Sequence, residues 1–364
     1  MFLRKRKQQN YGKLSSDTWV RFRKNPLSVA SLCIIVFFTL IAILGYLITS
    51  DQTPYANDQH LEIAVQKPGF KVQMLQIYDK PAEKQSFIKT MLFGKKNTCT
   101  SIPIYKHWTK NNKLYAETFT GDNPNEGEVI SVSNKHYDIV TKHYILGTDR
   151  YGRDMLSQLM IGTRVSLSIG LIAVIIAVVI GVTLGAIAGY FGGWLDKVIV
   201  WLINVVWSVP TILLVIAITF ALGKGFWQVF IAVGLTMWVD LARMVRGQVL
   251  SIKEKEFIEA GRALGFSNFR IIFRHILPNV VGTATVITAS NFATAILQEA
   301  GLSFLGIGVQ PPMPSWGTMI KENYGYIILD AAYMAIIPGI AIMLLVFAFI
   351  MLGSGLRQAM NVKE

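Results

Sequence analysis

The sequence predicts an all-α polytopic membrane protein: six transmembrane helices, with a small β-rich external insert between the first and second. Three observations predict it. Of the 364 residues, 52% are hydrophobic and only 16% are charged, which places the chain outside the composition of soluble domains. The apolar residues are gathered into charge-free blocks, most of them long enough for a bilayer crossing, which takes about 20 residues. Residues 51–145, in contrast, are polar, mixed in charge and built from short alternating segments, a pattern of half-buried strands. Basic residues number 35 against 22 acidic. In a chain of this class that excess predicts loops obeying the positive-inside rule, and no nucleic-acid partner is expected.

Residues 1–50 read as a tail and the first crossing. Arg4, Lys5, Arg6, Lys7, Lys13, Arg21, Arg23 and Lys24 stand against the single Asp17 before Pro26 opens an uncharged run from Leu27 to Thr49. The run is too long for a signal-peptide core, so it predicts an uncleaved anchor with the N-terminus inside. In the insert, LEIAVQ, FKVQMLQIY and GEVISVS alternate as strands do. Lys110-Asn111-Asn112-Lys113 lies between IPIYKHW and LYAETF and predicts a hairpin, because Asn tolerates positive φ. A linker with transient strands is the alternative. The topology keeps Cys33 and Cys99 too far apart to pair.

Residues 146–364 read as the core, with crossings at about 166–190, 198–222, 226–246, 280–300 and 331–354. Six crossings put both termini inside. The loop from 243 to 278 carries Arg243, Arg246, Lys253, Lys255, Arg262, Arg270 and Arg274, whereas the opposite loops carry Lys224 and Lys321, the asymmetry expected of a cytoplasmic loop. Gly181, Gly185 and Gly189 repeat every fourth residue and predict close packing of a neighbouring helix along one face, with a path lining as the alternative. Pro210, in mid-block, removes a backbone donor and predicts a kink. Asp240 and Arg243 end a short block as an i, i+3 pair or by snorkelling separately.

No residues point to catalysis. His60, His107, His136, His143 and His275 lack metal-ligand spacing, so neither metal nor cofactor is expected. There is no phosphate-binding G-x-x-x-x-G-K-[ST] loop and no nucleophile-elbow serine, so the chain is not expected to hydrolyse ATP alone. Asp240 and Glu299 sit at block ends rather than forming a run of intramembrane carboxylates, which argues against an ion-coupled carrier.

The stretch 251–279, SIKEKEFIEAGRALGFSNFRIIFRHILPN, is a polar helix pair in this apolar setting. Phe257, Ala260, Gly261 and Leu264 fall on one helical face and Lys255, Glu259 and Arg262 opposite. Gly265 can end that helix in the left-handed conformation, and Ser267 can cap a second. There Phe269, Ile272, Phe273 and Ile276 share a face with Arg270 and Arg274 behind, before Leu277 and Pro278 open the next apolar run at a tolerated first-turn position. A solvated basic loop is the alternative reading.

This stretch resembles the EAA loop of permease subunits of ATP-binding-cassette (ABC) importers, whose pattern is E-A-A, three residues, G, nine residues, then I-x-L-P. The matches are Glu259, Ala260, Gly265, Leu277 and Pro278; Gly261 and His275 depart from it. WVRFRKNPLSVASL at 19–32, LGTDRYGRD at 146–154, GTRVSLSIG at 162–170, AGYFGGWLD at 188–196 and QEAGLSFLGIGVQPPMPSWG at 298–317 narrow the resemblance to the C-type dipeptide and oligopeptide permease subunit. It covers residues 19–50 and 143–357. Trp201 and Asn204 stand where relatives often have an arginine and an aspartate, and the insert is longer than the family leads one to expect. The resemblance implies a non-catalytic subunit of the cell inner membrane that pairs with a second permease subunit, two cytoplasmic ABC ATPases and an extracytoplasmic peptide-binding protein. It makes Phe257, Glu259, Ala260, Gly261, Arg262, Gly265, Leu277 and Pro278 the ATPase-coupling residues. Other cargo on the same fold (a nickel chelate, an oligosaccharide, an antimicrobial peptide) and a membrane-anchored scaffold acting through its insert remain the alternatives.

Overall fold

The computed structural model describes residues 16–78, 86–97, 99–110, 113–121, 127–132, 136–223 and 225–360. The basic tail through Lys13, the turn residues Asn111 and Asn112, and Lys224 lie outside them. Among the described residues, five helical stretches are long and apolar enough to cross a membrane: Pro26–Ile48, Met155–Phe191, Phe226–Lys253, Asn268–Phe304 and Tyr333–Met360. A bent pair, Gly193–Trp207 with Thr211–Leu222, makes a sixth if counted as one span.

In chain order the helices are α1 (Ser16–Lys24), α2 (Pro26–Ile48), α3 (Phe87–Phe93), α4 (Met155–Phe191), α5 (Gly193–Trp207), α6 (Thr211–Leu222), α7 (Phe226–Lys253), α8 (Glu256–Ala263), α9 (Asn268–Ile271), α10 (Leu277–Phe304), α11 (Trp316–Asn323) and α12 (Tyr333–Met360). Local chemistry sets their ends. Asn25 Oδ1 accepts from the Leu27 and Ser28 amides at 3.1 and 3.4 Å, with Pro26 at the first position of α2, where its missing N–H costs nothing. Ser315 and Thr318 form a reciprocal capping box at the start of α11.

The predicted crossing over 198–222 is not one kinked helix. The chain breaks at Ser208-Val209-Pro210 and turns by 95° between α5 and α6. At 1.5 Å per residue, 15 and 12 residues reach roughly 22 and 18 Å, so neither arm alone crosses a hydrocarbon core of about 30 Å.

By contact density the chain forms two compact units. The first comprises residues 1–36, 168–299 and 343–364, and the second 37–167 and 300–342. The first unit is built around α7, whose buried residues include Phe230, Val233, Leu241, Val245 and Val249. Added Cβ atoms on Gly181, Gly185 and Gly189 of α4 would meet the carbonyl oxygens of Trp238, Ala242 and Arg246 at 2.8, 2.5 and 2.8 Å. Three successive turns of α4 therefore lie backbone to backbone on α7. Arg246 adds a bidentate pair to Asp196 of α5, at 2.5 and 2.7 Å.

The second unit holds the insert, an antiparallel sheet of order β4-β3-β2-β1-β5. Its strands are β1 (Phe70–Tyr78), β2 (Cys99–Lys110), β3 (Lys113–Thr118), β4 (Val129–Val132) and β5 (His136–Tyr144). The predicted hairpin is present, with Lys110 opposite Lys113. Val72 and Met74 join a cluster with Ile63, Phe119 and Tyr144. Leu75 joins another with Ile104, Leu114, Ala116 and Val132, so alternation along β1 supplies both faces. LEIAVQ is the exception among the predicted strands. It forms a 3-10 turn over Leu61–Ile63 and a positive φ at Val65, and it buries Ile63 completely against the sheet. Packing of one side chain outweighs the alternating pattern there.

Candidate functional site

The helix pair of residues 251–279 is assembled by backbone chemistry that the sequence announced and by packing that it did not. Gly265 adopts φ +77°. The Gly265 amide donates to Arg262 O at 2.9 Å and the Phe266 amide to Gly261 O at 3.0 Å, the paired bonds of a Schellman ending. Ser267 then accepts from the Arg270 amide at 3.4 Å and starts α9. No break separates α9 from α10. Residues Ile272–Ile276 form a π turn, and the Leu277 amide reaches back to Ile272 O. Pro278, in the first turn of α10, thus sits inside a continuous 37-residue helical stretch, Asn268–Phe304, rather than at its opening. The widened turn accommodates a residue with no N–H to give.

The buried side of α8 overlaps its periodic apolar face only at Gly261. Ile258 and Gly261 are buried, and Ile258 packs with Leu241, Val245, Val249, Ile252, Ile271, Ile272 and Ile276. Phe257 and Leu264 are exposed, and so are Phe269 and Phe273, whose rings lie 4.2 Å apart. Of the predicted apolar face of Phe257, Ala260, Gly261 and Leu264, only Gly261 is buried, and Ile258 is the α8 side chain that enters the core. Glu259, Ala260 and Arg262 are exposed too.

Both positions that depart from the EAA pattern sit at one contact. A Cβ on Gly261 would come within 3.2 Å of Phe266 Cδ2, tighter than an ordinary contact. Phe266 stacks on His275 at 5.7 Å and 15°, while Arg270 lies 4.0 Å over its other side. Tyr190 ties the pair to α4 by donating to Asn268 Oδ1 at 2.7 Å.

A second polar group lines the bend between α5 and α6. Trp207 Nε1 donates to Asp240 Oδ1 at 3.1 Å, and the Arg243 guanidinium covers the Trp207 ring at 3.6 Å, reaching Asn204 Oδ1 at 3.5 Å. The expected i, i+3 ion pair is replaced, because the Trp207 ring at the end of α5 lies between the two charges. Asp240 and Trp207 line a cleft with Thr211, Asn291 and Gln298, and Gln298 Oε1 is buried with no hydrogen-bond partner among the described residues. Asn204, where relatives often carry a charge, keeps a polar role. Trp201 is exposed.

Sequence patterning missed a third polar group, in the second unit. Arg153 Nη2 lies 2.6 Å from both Asp149 Oδ2 and Glu322 Oε2, and Arg153 and Asp149 are buried. Burial alone would lower the Arg153 pKa, but the two carboxylates outweigh it and hold the guanidinium above its ordinary range. The signal lay in the run Asp149-Arg150-Tyr151-Gly152-Arg153-Asp154, where small loop residues bring alternating charges together.

Comparison with known proteins follows from this architecture. Residues 181–362 match the family of binding-protein-dependent transport system inner membrane components. The chain belongs to that family. Residues 13–68 also match the N-terminal transmembrane domain of oligopeptide transport permease C. A glutathione transport system permease protein, GsiD, of Pectobacterium atrosepticum is 40% identical over 60% of this chain and 72% of its own length. A dipeptide transport system permease protein, DppC, of Alkalihalophilus pseudofirmus is 42% identical over 64% and 75%. The chain is also similar to one from the MetNI methionine ABC transporter in an inward-facing conformation, at 22% identity and a TM-score of 0.46, over 58% of this chain and 98% of that one. Family membership makes the chain a membrane-spanning, non-catalytic permease subunit.

Proposed function

We propose that the chain forms, with a second permease subunit, the path of an ATP-driven importer for di- and oligopeptides, and that the pair α8–α9 is its coupling element. Two cytoplasmic ABC ATPases would drive it and an extracytoplasmic peptide-binding protein would supply cargo. The reading puts both termini and the 251–279 stretch on the cytoplasmic side, as the seven basic residues of the loop from 243 to 278 favour. The observation that carries the coupling role is the split face of α8. Ile258 fixes the helix to α7, while Phe257, Leu264, Phe269 and Phe273 stand exposed, as do Glu259 and Arg262. A helix held rigidly on one side and apolar on the other suits insertion into a partner groove. Closure of that partner would then reach α7 as rigid-body motion.

The peptide cargo is supported by the named cargo of the relatives, glutathione and dipeptides. Coupling is tested with Glu259→Lys and Gly265→Pro, which should leave the protein in the membrane while abolishing uptake and uncoupling ATPase stimulation. Wild-type transport by both variants overturns it. Uptake of a labelled dipeptide in competition with glutathione, nickel and an oligosaccharide tests the cargo, and competition by nickel or the sugar alone overturns the peptide reading.

A further inference from the structure

Helix α3 (Phe87–Phe93) lies in the insert but outside its sheet, and its outward side chains are apolar. Phe87, Ile88 and Phe93 are about two-thirds exposed and Leu92 about half, while Thr90 on the inner side is buried. Lys89, Lys95 and Lys96 stand exposed among and beside them. Such a face would be a liability in water.

One side chain fixes its depth. Arg164 of α4 donates from Nε to Ala42 O at 2.8 Å and from Nη2 to Ile43 O at 3.1 Å. The same guanidinium donates from Nη1 to Leu92 O at 2.7 Å and from Nη2 to Met91 O at 2.9 Å. The last turn of α3 is therefore level with Ala42 and Ile43 of α2. That helix runs on to Ile48, so at 1.5 Å per residue α3 ends about 8 Å short of the end of a charge-free spanning helix. Leu40, Ile43, Leu44 and Ile48 of α2, around that level, are themselves exposed. The chain stays tight where it climbs back. A Cβ on Gly94 would lie 2.7 Å from Gln52 O, and the Lys95 amide donates to Gln52 O at 2.7 Å.

The carbonyls of Met91 and Leu92 belong to the final turn, which has no helical donors for them. In water, solvent would satisfy them. In hydrocarbon a protein donor must, and Arg164 is that donor. We propose that α3 is an interfacial anchor, with Phe87, Ile88, Leu92 and Phe93 seated in lipid at the headgroup and acyl-chain boundary and its lysines toward the headgroups. The occupant of this face is bilayer lipid, and the insert is held against the membrane surface by it.

The test uses the full-length chain in lipid nanodiscs with Cys33→Ser and Cys99→Ser, and a single spin label at Ile88→Cys or Phe93→Cys. Leu40→Cys is the lipid reference and Val129→Cys, on an exposed strand position, the aqueous one. Accessibility is read to oxygen and to a water-soluble nickel chelate. Labels on α3 should show the high oxygen and lost nickel accessibility of Leu40→Cys. Nickel accessibility like that of Val129→Cys overturns the proposal, and so does exclusion of both reagents, which would mean a protein surface covers the helix. Phe87→Cys gives the same readout if either variant fails to assemble.

Discussion

Replacing Gly185 by alanine adds one methyl group at the tightest of the three α4 contacts with α7. The new Cβ would lie 2.5 Å from Ala242 O and 2.8 Å from Val245 Cβ, against 3.4 Å or more in ordinary contact. One of those atoms is backbone, so a rotamer change cannot relieve it, and α4 must withdraw from α7 by roughly 1 Å. Overpacking of this kind costs about 1–3 kcal/mol, set against the roughly 1 kcal/mol by which alanine favours a helix over glycine. The net expectation is a loss of up to about 2 kcal/mol, at its upper end a factor of roughly 30 in the folded ratio. Gly247, on α7, is the internal control, because a Cβ there meets nothing within 4 Å. Gly247→Ala should be neutral or stabilising. Thermal unfolding of the purified chain in detergent, followed by loss of monodisperse protein, should place Gly185→Ala below wild type and Gly247→Ala at or above it. Equal stability of the two variants would refute the packing argument. If transport fell at the same time, the glycines would line a path instead.

Gly261→Ala, which restores the commoner residue of the EAA pattern, should change stability by less than about 1 kcal/mol, since only the half-buried Phe266 ring has to give by a few tenths of an ångström. ATPase stimulation measured in proteoliposomes should survive it. Arg153→Met removes the cation that Asp149 and Glu322 share and leaves Glu322 only the longer contact to Arg150 at 3.7 Å, and should cost roughly 3–5 kcal/mol, read as a lower unfolding temperature. Asp58 tests the insert by pH. Burial pushes its pKa up, but His60 at 3.1 Å and Lys142 at 2.9 Å outweigh that and lower it from 3.8 to about 2. A depressed carboxyl contributes stability above its unfolded pKa and loses it as pH falls through the folded one. Roughly 2 kcal/mol should therefore vanish between about pH 4 and pH 2. Asp58→Asn should flatten that acid limb in tryptophan fluorescence.

The sequence alone determined the class of this protein, because charge-free runs such as Leu27–Thr49 leave few other structures open and because Gly265 and Ser267 carry their turn and cap in their own chemistry. It also placed the strands β1, β2, β3 and β4. What it could not decide were contacts between residues far apart in the chain. Nothing in the period of α8 says that Ile258 rather than Phe257 faces inward, since that follows from the way α8 crosses α7. Pro210 announces a disturbance but not its 95° angle, which depends on where α5 and α6 each find packing. Asp240 and Arg243 are spaced to pair, and a tryptophan 33 residues before Asp240 separates them. Arg164 reads as an isolated charge in an apolar run until four carbonyls from two other helices converge on it. Local backbone preferences and solvent partition are properties of a short stretch, and the sequence carries them. Which buried polar group finds which partner is settled only when the helices are packed.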